Sequence, residues 1–183
     1  MIEVINLTRK NITDFALLRN RLLNNSKAEW VLFLDNDEVM ETQLSEPTGK
    51  YSAYYLTRKN YFLGKYVGSE KTIRLIKKGS GIWVRRVHEI YNLKRGKAGF
   101  LKNIIIHHTA DKLSEYLYKI NKYSSLHAQA NCEERKKSTI IKIVFYPQIK
   151  FILTFLKSGN IVFSIMQSLH SFLSWTKLYF LQS

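Results

Sequence analysis

Acidic residues are scarce in this 183-residue chain, with 14 Asp and Glu against 29 Lys and Arg, and none follows Glu134. A net charge of +15 asks for an anionic partner or surface. The excess is regional. Residues 1–50 hold eight acids and six bases, whereas residues 57–102 hold thirteen Lys or Arg against Glu70 and Glu89 alone. Cysteine is nearly absent too: Cys132 stands alone, so no disulfide closes within the chain and a reducing compartment is expected. The opening Met1–Leu7 lacks a basic run followed by a long apolar core, which excludes reading it as a secretory signal; it reads as a short strand. Disorder is excluded by what is abundant, a hydrophobic content of 45% with 13% aromatic residues.

The densest signal is Trp30-Val31-Leu32-Phe33-Leu34-Asp35-Asn36-Asp37-Glu38, where an apolar run ends in three carboxylates. Five apolar residues without alternation fit a strand covered on both faces, and in open α/β sheets ligands bind beyond the carboxyl ends of such strands. Asp35 and Asp37 point opposite ways if the strand stays extended, so both can face one ion only if the chain turns at Asn36. Hard oxygen ligands of this kind suit Mg²⁺ or Mn²⁺ bridging to a diphosphate.

Upstream, Thr13 is the expected cap of a helix reaching Asn25, with Phe15, Leu18 and Leu22 on one stripe. Strand, helix and strand then form a crossover unit. Short strands are expected at Tyr51–Thr57, Thr72–Ile76 and Ile82–Val87, as an antiparallel layer beside the sheet with a hairpin turn at Lys77–Gly81. Arg85-Arg86-Val87-His88-Glu89 puts a titratable pair directly after a strand, where Glu can act as a base and His as a ligand or proton carrier. Another buried strand, Leu101–Ile106, ends at His107-His108, and an amphipathic helix from Asp111 to Lys137 is expected to cover the sheet.

From Ser138 onward only Lys142, Lys150, Lys157 and Lys177 carry charge. Two apolar segments, Ile140–Leu156 and Ile161–Leu181, read as helices lying in a membrane interface with lysines toward anionic head groups, and Pro147 is expected to kink or end the first. The division expected is therefore a core at 1–137 and a membrane-associated helical tail at 138–183.

In order and spacing, Phe15–Asn20, Glu29–Glu38, Ile73-Arg74-Leu75 and Val87-His88-Glu89 resemble glycosyltransferase family 2, in particular small bacterial enzymes related to lipopolysaccharide-core glucosyltransferases. The apolar Phe151–Leu178 region is similar to that group's tail. The resemblance implies a GT-A (Rossmann-like) α/β fold with a mixed sheet and flanking helices, and transfer of a sugar from a nucleotide-sugar donor to a glycan or lipid-linked acceptor during envelope polysaccharide or lipopolysaccharide synthesis, at the cytoplasmic face of the membrane. By it, Asp35 and Asp37 correspond to the Asp-x-Asp motif holding Mg²⁺ or Mn²⁺, and His107 is similar to the downstream His that completes that site, with His108 as the neighbouring alternative. Glu89 is the implied base. Arg19, Asn20, Lys71 and Arg74 are the implied donor-binding residues. Family members begin with further strand–helix units that hold the nucleotide base, so about 60 residues, two units of ~30, are expected to be missing ahead of Met1, leaving a sheet edge open to a second copy or to a missing N-terminal half. Two rivals come from other classes. A nucleic-acid-binding protein or nuclease would explain the charge, but the bases follow no nucleic-acid motif and the apolar tail goes unexplained, so no nucleic acid is expected as partner. A membrane-associated scaffold without activity would keep the fold and lose nucleotide binding.

Overall fold

A computed structural model describes residues 1–8, 12–86 and 88–182. Its described elements are β1 (Ile2–Leu7), α1 (Phe15–Asn25), β2 (Trp30–Asp35), β3 (Glu38–Met40), β4 (Ala53–Phe62), β5 (Lys65–Lys77), β6 (Gly81–Val84), β7 (Ile90–Leu93), β8 (Ala98–Ala110), α2 (Leu113–Glu133), α3 (Ile140–Ser158) and α4 (Ile161–Gln182). The fold is the expected mixed α/β arrangement. It divides into two compact units, residues 1–60 with 69–108, and residues 61–68 with 109–183.

The first unit is built on a six-stranded sheet of order β1-β2-β5-β4-β8-β3. Strand β1 lies parallel to β2, with Ile2 opposite Trp30, as the strand–helix–strand pattern requires, while β5 and β3 run antiparallel to β2 and β8. Residues 30–34 are all buried because they alternate between two cores. Val31 and Phe33 pack with Leu7, Ala16, Leu23, Trp83 and Tyr91 under α1 and the β6–β7 ribbon. Trp30, Leu32 and Leu34 pack on the other side with Tyr54, Leu56, Leu75 and Ile105, where Leu44 of the 41–52 segment joins them. Helix α1 is capped by Asp14, whose carboxylate accepts from Leu17 N at 2.8 Å, one residue beyond the expected Thr13.

The antiparallel layer expected beside the sheet is redistributed. Strands β4 and β5 belong to the main sheet, and only β6 and β7 form a separate ribbon. The Lys77–Gly81 turn consequently joins two sheets rather than closing a hairpin. Tyr91 Oη and Ser52 O both lie within hydrogen-bond distance of Ser80 Oγ, at 2.9 and 3.1 Å, which fixes that corner.

The second unit contains the Tyr61–Gly68 hairpin tip, α2, α3 and α4. Leu63 and Gly64 both take positive φ, 48° and 74°, the signature of a two-residue turn matching strand twist. Phe62, Val67 and Ala110 pack on Tyr116 and Ile120 of α2, with Phe163 and Met166 of α4 against them. Helix α2 thus packs on the strand ends of this unit and on α4. Pro147 sits inside α3 without ending it, and Ser168 Oγ donates to the Pro147 carbonyl at 2.9 Å. Among the described residues no helix is long and apolar enough to cross a membrane.

Candidate functional site

The chain does turn after β2. Asn36 and Asp37 form the turn, and β3 returns antiparallel to the end of β8 with Glu38 opposite His107. His108 N donates to the Asp37 carbonyl at 2.8 Å and holds the turn against β8. This pairing sets an Asp37 carboxylate oxygen 3.6 Å from His107 Nε2, with both side chains partly open to solvent, 24% and 17% exposed. His107 Nδ1 is 2.7 Å from Asn60 Oδ1. A carbonyl oxygen only accepts, so Nδ1 donates to Asn60 and Nε2 is the ring nitrogen that faces Asp37. A ring oriented through its other nitrogen is what metal-binding histidines have.

Asp35 enters a different arrangement. Its Oδ1 accepts from Arg19 Nη2 at 2.7 Å and its Oδ2 from Arg74 Nη2 at 2.8 Å. The same Arg19 nitrogen lies 2.8 Å from Glu89 Oε1, so Asp35 and Glu89 share one guanidinium. Arg74 continues to Glu38, Glu38 accepts from Arg58 at 2.9 Å, and Arg58 reaches Glu70. Asp35 N donates to Glu38 Oε2 at 3.0 Å, which closes the turn on itself. Three arginines and four carboxylates are thereby chained through the sheet's carboxyl end.

Burial sets the electrostatics of this chain of charges. Arg19 is fully buried, with its guanidinium carbon 4.8 Å from the centre of the Trp83 ring and 5.6 Å from that of Phe33. Desolvation lowers the Arg19 pKa despite Asp35 and Glu89 beside it. Burial pushes the Asp35 carboxyl upward, but Arg74 and Arg19 outweigh it and hold Asp35 below the usual carboxylate range. Arg74 is opposed by burial in the same way, and Asp35 and Glu38 outweigh it to raise its pKa. Arg19 Nε and Nη1 and Arg74 Nε are buried without a hydrogen-bond partner among the described residues, so Arg19 meets its carboxylates through Nη2 alone.

The expected site residues therefore fall into two adjoining groups. Asp37 and His107 meet; Asp35, Arg19, Arg74 and Glu89 meet. Asn20 does neither, because its amide donates to Trp83 O at 2.8 Å and its Oδ1 accepts from Trp83 N at 2.9 Å, pinning β6 to α1. Lys71 lies over the Phe100 ring, 4.7 Å from its centre, and Phe100 is 64% exposed. Arg19 and Arg74 are buried, and the partners the structure gives them are carboxylates. His88 takes a left-handed φ of 52°, while Val87 of the same motif lies outside the described residues. Sequence reasoning missed Arg58 and Asn60, gave Glu38 no role of its own, and named Glu70 only as an alternative base to Glu89, with Asp111. The signal for Glu38 was present, since a third carboxylate directly after Asp-x-Asp needs a cation of its own; nothing in sequence spacing points to Asn60.

A divalent ion is the group that the sequence resemblance implies here. Among the described residues, no cluster of three or more His, Cys, Asp or Glu side chains could hold one. Asp37 and His107 nevertheless fit a Mg²⁺ or Mn²⁺ site that is completed by substrate oxygens and water, as Mg²⁺ sites commonly are. Asp35 fits less directly, since both of its oxygens already accept from arginine.

No known family model matches the chain. It is similar to the lipopolysaccharide core biosynthesis glycosyltransferase LpsC of Rhizobium meliloti (strain 1021), 24% identical over 179 residues. The match takes in 86% of this chain and 66% of that protein, so the chain spans just under two thirds of the length of the curated relative it matches.

Proposed function

We propose that the chain is a metal-dependent glycosyltransferase of the family 2 kind, moving a sugar from a nucleotide-sugar donor to a glycan or lipid-linked acceptor in envelope polysaccharide synthesis. The observation that carries this reading is the similarity to LpsC along most of the chain. The geometry at the carboxyl end of β2 supports it, because a pre-oriented Asp37–His107 pair stands beside the carboxylate network at the place where α/β sheets take their ligands.

Asp37 and His107 would hold the ion, which when bound offsets the negative charge that develops on the leaving diphosphate. Glu89 accepts the proton of the acceptor hydroxyl as that oxygen attacks the anomeric carbon. Arg19 holds Glu89 and Asp35 through one nitrogen, and so keeps the base in a fixed position. Arg74 and Arg58 neutralise Glu38 and keep the turn that carries Asp37 in place. The reading includes a place at the inner face of the cell membrane, supported by the acid-free apolar tail.

The test is release of nucleoside diphosphate from a panel of nucleotide sugars in the presence of Mn²⁺ and an envelope glycolipid extract. Turnover of one donor that Glu89→Gln lowers, with donor binding kept, is the expected result. Neither binding nor turnover of any donor would favour the scaffold reading.

A further inference from the structure

Helix α3 is nineteen residues long and apolar, yet Pro147 is its only buried residue. By contrast α2, of similar length, buries six. Ile141, Phe145, Ile149, Ile152, Leu153 and Leu156 are each more than half exposed. At 100° per residue they fall within an arc of about 120° on one side of the helix. Pro147, whose carbonyl accepts from Ser168 of α4, lies on the opposite side. Six large side chains in a continuous stripe are more apolar surface than a soluble protein leaves open without a purpose.

Charge identifies what covers the stripe. Lys150 and Lys157, both exposed, project along one edge of it, about 40–60° beyond Leu153 at 100° per residue. The chain offers no carboxylate beyond Glu134 to receive them. A second copy docked through this helix would bring lysine toward lysine. Apolar side chains bounded by cations, on a helix that carries an internal proline and is not apolar enough to span, match the plane of an anionic bilayer surface.

We propose that the outer face of α3 docks on an anionic lipid surface, with the Ile141–Leu156 stripe entering the acyl boundary and Lys150 and Lys157 at the phosphate level. This deepens the membrane part of the proposed function and is independent of its chemistry. Helix α4 has a different task, since Phe163, Met166 and Leu169 pack on α2 and Lys177 Nζ donates to Asn121 O, Ser124 Oγ and Ser125 Oγ, each at 2.8 Å.

Co-sedimentation of the full chain with phosphatidylcholine vesicles, with and without phosphatidylglycerol, tests the proposal. Binding to the anionic vesicles alone is expected. Lys150→Gln with Lys157→Gln should weaken it about thirtyfold, since each lysine near such a surface contributes about 1 kcal/mol. Ile149→Asp with Leu153→Asp should abolish binding and leave the melting temperature unchanged, because both side chains are exposed. Three outcomes overturn the proposal: no binding to either vesicle, full binding by the aspartate variant, or a dimer in sedimentation velocity that the aspartate variant dissolves. Nucleotide binding measured on the same samples separates failure here from failure of the catalytic reading.

Discussion

Replacing Arg74 by Met removes the cation shared by two carboxylates and leaves a side chain of similar length. Arg74 is 4% exposed and its Nη2 contacts both Asp35 and Glu38, whose own side chain is fully buried. Without it Asp35 keeps only Arg19 and Glu38 keeps only Arg58. Breaking a buried ion pair from one side costs about 3–5 kcal/mol, because a desolvated charge is left uncompensated. For a chain of this size that lowers Tm by roughly 6–20 °C at pH 7. The deficit should narrow with acid. In the wild type Asp35 has a depressed pKa, so its stabilisation is complete above the unfolded value of about 3.9 and is lost as pH falls through the lower folded one. In the variant Asp35 loses part of what held its pKa down and takes up a proton earlier, which relieves the uncompensated charge. Thermal unfolding followed by circular dichroism from pH 7 to pH 3 measures both effects. A drop under about 2 °C at pH 7, or a deficit that widens below pH 4, would refute the reasoning.

Asn20→Ala should cost about 2–4 kcal/mol, since two backbone groups of Trp83 lose their partners, and should leave nucleoside-diphosphate affinity unchanged; calorimetry and binding on one preparation check both. Tyr116 is buried beside Gln167 and its pKa is pushed up to about 12, so the folded state keeps its proton where the unfolded state loses it. Stability should therefore fall between about pH 10 and 12, and less so in Tyr116→Phe, as urea unfolding across that range would show. Gly159 ends α3 at φ 62° with open space around it, so Gly159→Ala should destabilise by about 1–2 kcal/mol through backbone strain alone, read as a shifted urea midpoint without a changed slope.

The strand at Trp30–Leu34 was legible because burial on both faces leaves no polar position, and so was its parallel neighbour. Strands β4, β5 and β8 run longer than their apolar cores suggested; their exposed ends carry Lys65, His108 and similar residues, held by pairing rather than by burial. The three-residue β3 could not be read, since Glu38-Val39-Met40 has no pattern of its own and forms by pairing with β8. That strand nonetheless puts Asp37 beside His107, 70 positions away in sequence. Arg19 and Arg74 were named as donor-binding residues by the resemblance; the structure shows them beside carboxylates, and periodicity put Arg19 on a helix without showing that Phe33 and Trp83 lie against it.

The central claim is that Asp37 and His107 hold a divalent ion against a diphosphate, and the most direct measurement is the melting temperature with Mn²⁺ and a nucleoside diphosphate, together and singly. Ligand that binds only the native state stabilises it by about 2.7 kcal/mol at a hundredfold excess over Kd, a rise of roughly 5–11 °C. The account predicts that rise for the wild type when both ligands are present, and its loss in Asp37→Ala and in His107→Ala. An undiminished rise in both variants, or none in the wild type, would contradict it.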